Sequence, residues 1–335
     1  MEKKPFLTIG IASYNYGKYL SRAFEQIKKQ QFRDFELLYC DDGSSDDSVS
    51  IIESIIRENP DMNIRLIKGE REGILANRNR IVENAKGEFL LICDADDYMS
   101  EDMLQKLCST AKQTNADCVI GGFCETDEKG KLIKVHIPSQ NANPWIFIWH
   151  HAQIYKMDLV REHNLSFCTI PDDVCYMQRI HLYAKKISFV SEKLYFWVRH
   201  ADSTSRDIVN NSCWHPNLLW KNIVQCMIQL QEESRDDRSK WQIRYFLYKW
   251  YYFNATDEPI NNRKIMRDNL KELRVDMKKI FPDYRKWSVL YRTLREEDAL
   301  FSKLAVLACW MVEGVGCIWL LPRLRSAQLH KRKTF

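Results

Sequence analysis

A chain of 335 residues that is 45% hydrophobic and 28% charged has the balance of an ordinary globular protein and room for two domains. Eleven glycines and nine prolines exclude a linker-rich or low-complexity architecture, and a net charge of +5 is too mild to point to nucleic acid. Eleven cysteines, an odd number without a C-x-x-C pair, argue against a disulfide framework or a zinc site. Cys40, Cys93 and Cys118 sit inside apolar runs, where cysteine acts as a small hydrophobe, so a reducing cytosol is the natural compartment. The apolar stretch after Glu2, Lys3 and Lys4 is too short for a signal peptide.

Residues 6–12 read as a first strand, followed by the polar turn Ser13, Tyr14, Asn15, Tyr16 and Gly17. Tyr19, Leu20, Ala23, Phe24 and Ile27 then recur at helical spacing. A second strand over 35–40 ends at Asp41 and Asp42. The helix after it carries Val49, Ile52, Ile55 and Ile56 on one face, with Asp46 and Asp47 at its positive end. A third short strand covers 64–67 and a helix 74–85. Residues 89–93 are a fourth strand, five apolar residues that stop abruptly at Asp94, Asp96 and Asp97. Ser100 reads as the cap of the next helix, with Glu101 and Asp102 in its first turn. Strands alternating with amphipathic helices predict an α/β fold, a mostly parallel Rossmann-like sheet with helices on both faces.

Carboxylates at the C-terminal ends of such strands enter the crevice where open α/β sheets bind ligands. Their mutual repulsion is offset either by a divalent cation carrying a phosphorylated ligand or by the donors of a helix start. One cluster leaves both readings open. Two clusters on one sheet, Asp41-Asp42 and Asp94 to Asp97, favour a nucleotide and metal site.

These residues resemble family-2 glycosyltransferases of the GT-A fold, bacterial inverting enzymes that use nucleotide-sugars. The resemblance spans residues 5–205, about 60% of the chain, and rests on pieces in the family's order. They are Ser13-Tyr14-Asn15, Asp41-Asp42, Asn77-Arg78-Asn79, Gly87-Glu88, Asp94 to Asp97, Trp149-His150-His151, Pro171-Asp172-Asp173, and Arg199-His200 with Ser203. It implies a nucleotide-binding set of Ser13, Tyr14, Asn15, Asp41, Asp42, Arg78 and Asp94. In that set Asp41 accepts from uracil N3–H, and Asp94 holds the ribose. It further implies Asp96 as a ligand of Mn²⁺ or Mg²⁺, with Asp97 as supporting charge and His200 on metal or phosphate. Asp173 becomes the general base that deprotonates the acceptor hydroxyl. Its neighbour is Asp172 where the family has Glu, which leaves open which carboxylate faces the acceptor.

Plainer readings stand beside these. Arg78 belongs to a basic run with Arg71 and Arg80 that could be a solvated face, and Asp172-Asp173 could cap a helix. Trp149 and His151, between the metal motif and the base, are acceptor candidates or core.

Past residue 205 the alternation stops, which divides the chain into a catalytic domain, 1–205, and a helical C-terminal region, 206–335. Charged stretches at 231–240 and 256–264 break the helical pattern. Residues 304–321 carry one charge, Glu313, and as a helix would extend about 27 Å, short of a hydrocarbon core. Arg323, Arg325, Lys331, Arg332 and Lys333 follow. The expectation is a helix lying on an anionic membrane at the cytoplasmic face of the bacterial inner membrane, the alternative a buried helix.

The functional expectation is metal-dependent inverting transfer from a nucleotide donor, UDP-linked, to a lipid-linked or surface-polysaccharide acceptor. A sugar nucleotidyltransferase would carry a Gly-rich basic loop after its first strand, which Ser13 to Gly17 is not. A non-catalytic nucleotide-sugar-binding scaffold at the membrane would have no use for Asp96 and Asp173.

Overall fold

The four runs become parallel strands, three of them buried on both faces and the third in sequence half-buried at the sheet edge. In the computed structural model, which describes residues 4–168, 172–200, 216–234, 236–256, 263–296 and 300–316, they are β1 (Leu7–Ser13), β2 (Phe35–Asp41), β3 (Ile64–Lys68) and β4 (Phe89–Cys93). Between them run α1 (Gly17–Lys28), α2 (Ser48–Glu58) and α3 (Ile74–Asn84). Side chains alternate along each strand. Leu37, Tyr39 and Leu91 pack with Leu20, Phe24 and Ile52 of α1 and α2 on one face. Leu38, Cys40, Leu90 and Ile92 pack with Ile81 of α3 on the other.

The remaining strands make the sheet mixed. After β4 come β5 (Tyr98–Met99), α4 (Met103–Thr114), β6 (Cys118–Asp127), β7 (Leu132–His136) and β8 (Gln153–Lys156). Then follow α5 (Met157–Glu162), α6 (Asp172–Tyr183) and β9 (Ile187–Arg199). The sheet order is β3-β2-β1-β4-β8-β6-β9-β5, with β7 also on β6. β8 runs antiparallel to both β4 and β6, and β9 runs parallel to β6. The expected cap at Ser100 gives way to this topology. Tyr98 and Met99 pair with β9, so the chain stays extended and Asp102 takes the N-cap position.

Contacts divide the chain into two units, Met1–Arg206 and Asp207–Phe335. The second contains α7 (Pro216–Glu233), α8 (Asp237–Thr256), α9 (Arg263–Ile280), α10 (Trp287–Arg295) and α11 (Leu300–Gly314). The charged stretches at 231–240 and 256–264 fall at the breaks between α7, α8 and α9.

α11 holds the first part of the 304–321 segment, and its one charge is not left to solvent or lipid. Glu313 is 1% exposed. It accepts from the hydroxyls of Tyr251 and Tyr252 at 2.9 Å and of Tyr284 at 2.8 Å. Arg274 and Arg285 approach it at 3.1 and 3.3 Å. Among the described residues no helix is long and apolar enough to cross a membrane. Residues 317–335, with Arg323, Arg325, Lys331, Arg332 and Lys333, lie outside the described residues, as do Pro171 and Ser203.

Candidate active site

The register of the parallel strands brings the first acidic cluster to the second. Ser13 lies opposite Asp41, and Ile11 opposite Cys93, so the turn after β1, Asp41 and Asp94 leave the sheet side by side. This is the carboxyl edge at which open α/β sheets hold ligands. Asn15 adopts a left-handed φ of 52° and accepts from the backbone N–H of Ser45 at 2.8 Å. Its own N–H donates to Ser44 Oγ at 2.9 Å, which laces the two turns into one rim. Asp41 accepts from the Ser44 N–H at 2.8 Å and from its hydroxyl. The Arg71 guanidinium lies 3.6 Å from the Tyr14 ring centroid.

Asp42 does not join its neighbour. Its oxygens accept from the N–H groups of Glu72 at 3.0 Å and Gly73 at 2.8 Å, and it is 3% exposed. Its two oxygens anchor the loop before α3 and do not share the Ser44 contacts of Asp41 at the rim. That loop sets α3, where Asn77 Nδ2 donates to the carbonyls of Ser13 and Cys40. Arg78 is thereby turned inward. Its Nη2 is 3.2 Å from Asp94 Oδ1 and the residue is 7% exposed, so it is no solvated face.

The motif after β4 divides its three carboxylates. Burial opposes ionisation of Asp94, but His150 and Arg78 outweigh it and hold the carboxyl well below the usual range. Asp96 is pushed up to about 6, first by burial and then by the charge of Asp94. Its Oδ2 lies 3.5 Å from His200 Nε2, and that buried nitrogen has no hydrogen-bond partner. A carboxylate and an imidazole nitrogen facing across such a gap fit a divalent cation. Asp97 turns the other way. Its Oδ2 accepts from the Tyr195 hydroxyl at 2.7 Å and its Oδ1 from the Val198 N–H at 2.8 Å. Burial and the charges of Asp94 and Asp96 raise its carboxyl well above the ordinary value. Both oxygens of Asp97 are thus engaged with β9, on the side away from His200 Nε2.

Trp149-His150-His151 lies beside Asp94. His150 Nε2 is 3.3 Å from Asp94 Oδ2. His151 is 4% exposed, its ring stacked on Tyr195 with centroids 5.0 Å apart, the core placement that was the alternative to an acceptor contact. Trp149 is half-buried and packs edge-on to Phe123 at 5.4 Å. Asp94, His150 and His151 bring ligand atoms within 4.8 Å of one another, a second donor set for a cation. Arg78 already places a positive charge against Asp94, which opposes a cation at that set.

Gln153 holds this segment by donating to the carbonyls of Phe147 and Trp149, and His181 of α6 pairs with Gln153 Oε1 at 3.0 Å. Burial lowers the His181 imidazole to about 3 from 6.5. The unfolded ring takes up a proton that the folded one refuses. Its contribution is therefore complete above the unfolded value and lost as pH falls from about 6.5 towards 3. His181→Gln keeps a donor for Gln153 and is expected to flatten this region by about 1.4 kcal/mol per pH unit in urea unfolding. Parallel curves for variant and parent would refute it.

Asp173 sits in the first turn of α6, half-buried, with Oδ1 accepting from the Val174 N–H at 2.9 Å. Asp172 opens the helix, and its side chain lies outside the described residues. The segment before α6 is pinned to α3. Asn79 exchanges hydrogen bonds with the Phe167 backbone at 2.8 and 2.7 Å, one residue from Arg78.

A family model for "Glycosyl transferase family 2" matches residues 8–177, just over half of the chain. The chain belongs to that family. GlyG, a glycosyltransferase of Streptococcus pneumoniae, is 30% identical over 221 residues, which cover 60% of this chain and 73% of GlyG. A glucosyltransferase of Campylobacter jejuni named for GalNAc(5)-diNAcBac-PP-undecaprenol is 28% identical over 39% of this chain and 41% of its own. Among solved structures, Staphylococcus aureus TarS 1–349 in complex with UDP-GlcNAc superposes with a TM-score of 0.70 at 15% identity. That alignment covers 96% of this chain and 92% of TarS 1–349 and shows the GT-A fold.

In this family-2 glycosyltransferase, two clamps that the sequence did not reveal position the stretch from Asp94 to Asp97. Arg22 of α1 donates to the Asp96 carbonyl and the Tyr98 hydroxyl, each at 2.6 Å. From the other side Tyr195 of β9 bonds Asp97 and accepts from the Asp94 N–H at 3.1 Å. Glu128 approaches His200 Nδ1 at 3.3 Å. None of these contacts has a local pattern, because each joins residues more than seventy positions apart.

Proposed function

We propose that this enzyme moves a sugar from a UDP-linked donor to a hydroxyl of a lipid-linked or surface-polysaccharide glycan, with inversion at the anomeric carbon. The observation that carries the reading is a set of buried polar atoms left without partners where the three strand ends meet. They are Ser13 Oγ, His150 Nδ1 and His200 Nε2, around Asp94 and Asp96. Buried polar groups are almost always paired, so such a set calls for a polar ligand.

In this reading Ser13, Tyr14, Asn15 and Asp41 shape the base pocket, and Asp94, steadied by Arg78 and His150, receives the ribose hydroxyls. Asp96 and His200 hold Mn²⁺ or Mg²⁺. Bound there, the cation supplies the charge neutralisation that a departing diphosphate requires. Asp173 takes the acceptor proton as the acceptor oxygen bonds the anomeric carbon. The bond to the diphosphate breaks on the opposite face, and UDP leaves. The lipid-linked acceptor follows the name of the Campylobacter relative, the UDP donor the TarS complex. The place of action is the cytoplasmic face of the bacterial inner membrane.

Thermal shift tests it. UDP with Mn²⁺ is expected to raise the melting temperature, since a ligand at 100 times its Kd adds about 2.7 kcal/mol of stability. Asp96→Ala is expected to abolish the Mn²⁺-dependent part of the shift. An equal shift in the variant would remove Asp96 from the metal site.

A further inference from the structure

α1 carries a polar stripe whose partners are protein groups. Its buried apolar face is Leu20, Ala23, Phe24 and Ile27. Beside that face Tyr19, Arg22 and Gln26 follow one another at helical spacing, and Gln30, just past the helix end, continues the row. Three of the four hold the backbone that begins at Asp96. Arg22 Nη2 donates to the Asp96 carbonyl at 2.6 Å. Gln26 Oε1 accepts from the Met99 N–H at 2.9 Å, and Gln30 Nε2 donates to the Ser100 carbonyl at 2.8 Å. The chain from 96 to 100 is thus racked along one side of a single helix.

The fourth member reaches the other half of the Asp96–His200 pair. The Tyr19 ring meets the His200 imidazole with centroids 5.4 Å apart. The Arg22 guanidinium lies 5.5 Å from the Tyr19 ring centroid and 4.2 Å from that of Tyr98, whose hydroxyl accepts from Nη1 at 2.6 Å. Asp96 precedes β5 and His200 follows β9, so no local geometry fixes their separation. Pairing between β5 and β9 stops at Tyr98 and Phe196, short of both residues. α1 touches both.

We propose that Arg22 and Tyr19 are positioning residues that set Asp96 and His200 at the separation a divalent cation requires. The inference rests on the reading of that pair as the metal site. Arg22 reaches Asp96 through its carbonyl, and Asp96 Oδ2 is left facing His200. The planar fork serves the Asp96 carbonyl and the Tyr98 hydroxyl together, which fixes a direction that the point charge of a lysine does not. Groups that orient metal ligands in this way are worth roughly ten- to a hundredfold in metal affinity.

The test is Mn²⁺ titration of the full chain in the presence of UDP, followed by electron paramagnetic resonance. Arg22→Met and Arg22→Lys are each expected to raise the Kd for Mn²⁺ about tenfold or more. Tyr19→Leu is expected to raise it as well, and Tyr19→Phe, which keeps the ring on His200, to bind Mn²⁺ like the parent. Calorimetric titration of UDP without metal is expected to be unchanged in the Arg22 variants, and circular dichroism keeps misfolding apart. Loss of metal-free UDP binding along with Mn²⁺ would mean that Arg22 merely holds the fold, and would overturn the proposal. Parental Mn²⁺ affinity in Arg22→Met would overturn it too. So would parental affinity in Arg22→Lys, which keeps the charge without the fork. Equal Kd values for the two Tyr19 variants would overturn the part given to Tyr19. Asp96→Ala separates this inference from the reading beneath it. If that variant loses Mn²⁺ while the Arg22 variants retain it, the positioning role alone falls. If it binds Mn²⁺ like the parent, the metal site falls and the positioning role with it.

Discussion

Asp173→Asn is expected to lower the rate of sugar transfer by about 10²- to 10⁴-fold, the range that a positioned general base supplies. In free energy that is roughly 3–5 kcal/mol of the barrier. The substitution is conservative in shape. Asparagine keeps an oxygen for the Val174 N–H, so this hydrogen bond in the first turn of α6 is retained. What it loses is the capacity to take a proton at the carboxylate. UDP affinity is therefore expected to stay within about twofold, because the proposed base acts on the acceptor hydroxyl and not on the nucleotide. Asp172→Asn is expected to cost less than about tenfold, which separates the two carboxylates. Single-turnover transfer with a labelled donor, beside calorimetric titration of UDP, gives both quantities. Near-parental transfer by the Asp173 variant would end its assignment as the base.

Glu313→Ala carries the largest expected loss of stability, about 3–5 kcal/mol, as for a buried ion pair broken on one side. The glutamate side chain has no exposed surface, and its removal leaves three tyrosine hydroxyls without their acceptor and two arginines without their counter-charge. Arg274 is 43% exposed and Arg285 28%, so solvent screens part of their charge and the lower end of the range is the better guide. The loss corresponds to a fall in melting temperature on the order of 10 °C. Glu313→Gln keeps an acceptor oxygen and is expected to lose less. A calorimetric shift below about 2 °C for the alanine variant would mean that the cluster is ornamental. The same network makes truncation at residue 304 a poor probe of membrane docking. It would remove Glu313 from the packed unit along with the apolar residues from 304 onward.

Much of the catalytic unit was legible because its signals are local. The run Phe89 to Cys93 is apolar, bounded by polar residues, and is the strand that its pattern describes. The helical spacing of Leu20, Ala23, Phe24 and Ile27 is the buried face of α1. The strands after α4 were harder to read. β8 has four residues and β5 two, too few for a period to emerge, and both are held by strands distant in the chain.

The site divides along the same line. That carboxylates gather at the carboxyl edge of a parallel sheet follows from the order of residue types alone, and so does the family. Which carboxylate does what does not follow. Asp41 and Asp42 are adjacent, yet one stands at the rim and the other anchors the loop before α3. Asp94 and Asp97 are three residues apart, yet one meets Arg78 and the other Tyr195 and Val198. Asp97 meets Val198 across 101 positions of chain, and Glu313 meets Tyr252 across 61. The sequence by itself determined the alternation of elements, the acidic strand ends and the helical third. Only the tertiary structure decided the direction each charge faces, because a side chain's partner depends on strand register and helix rotation, which distant segments set.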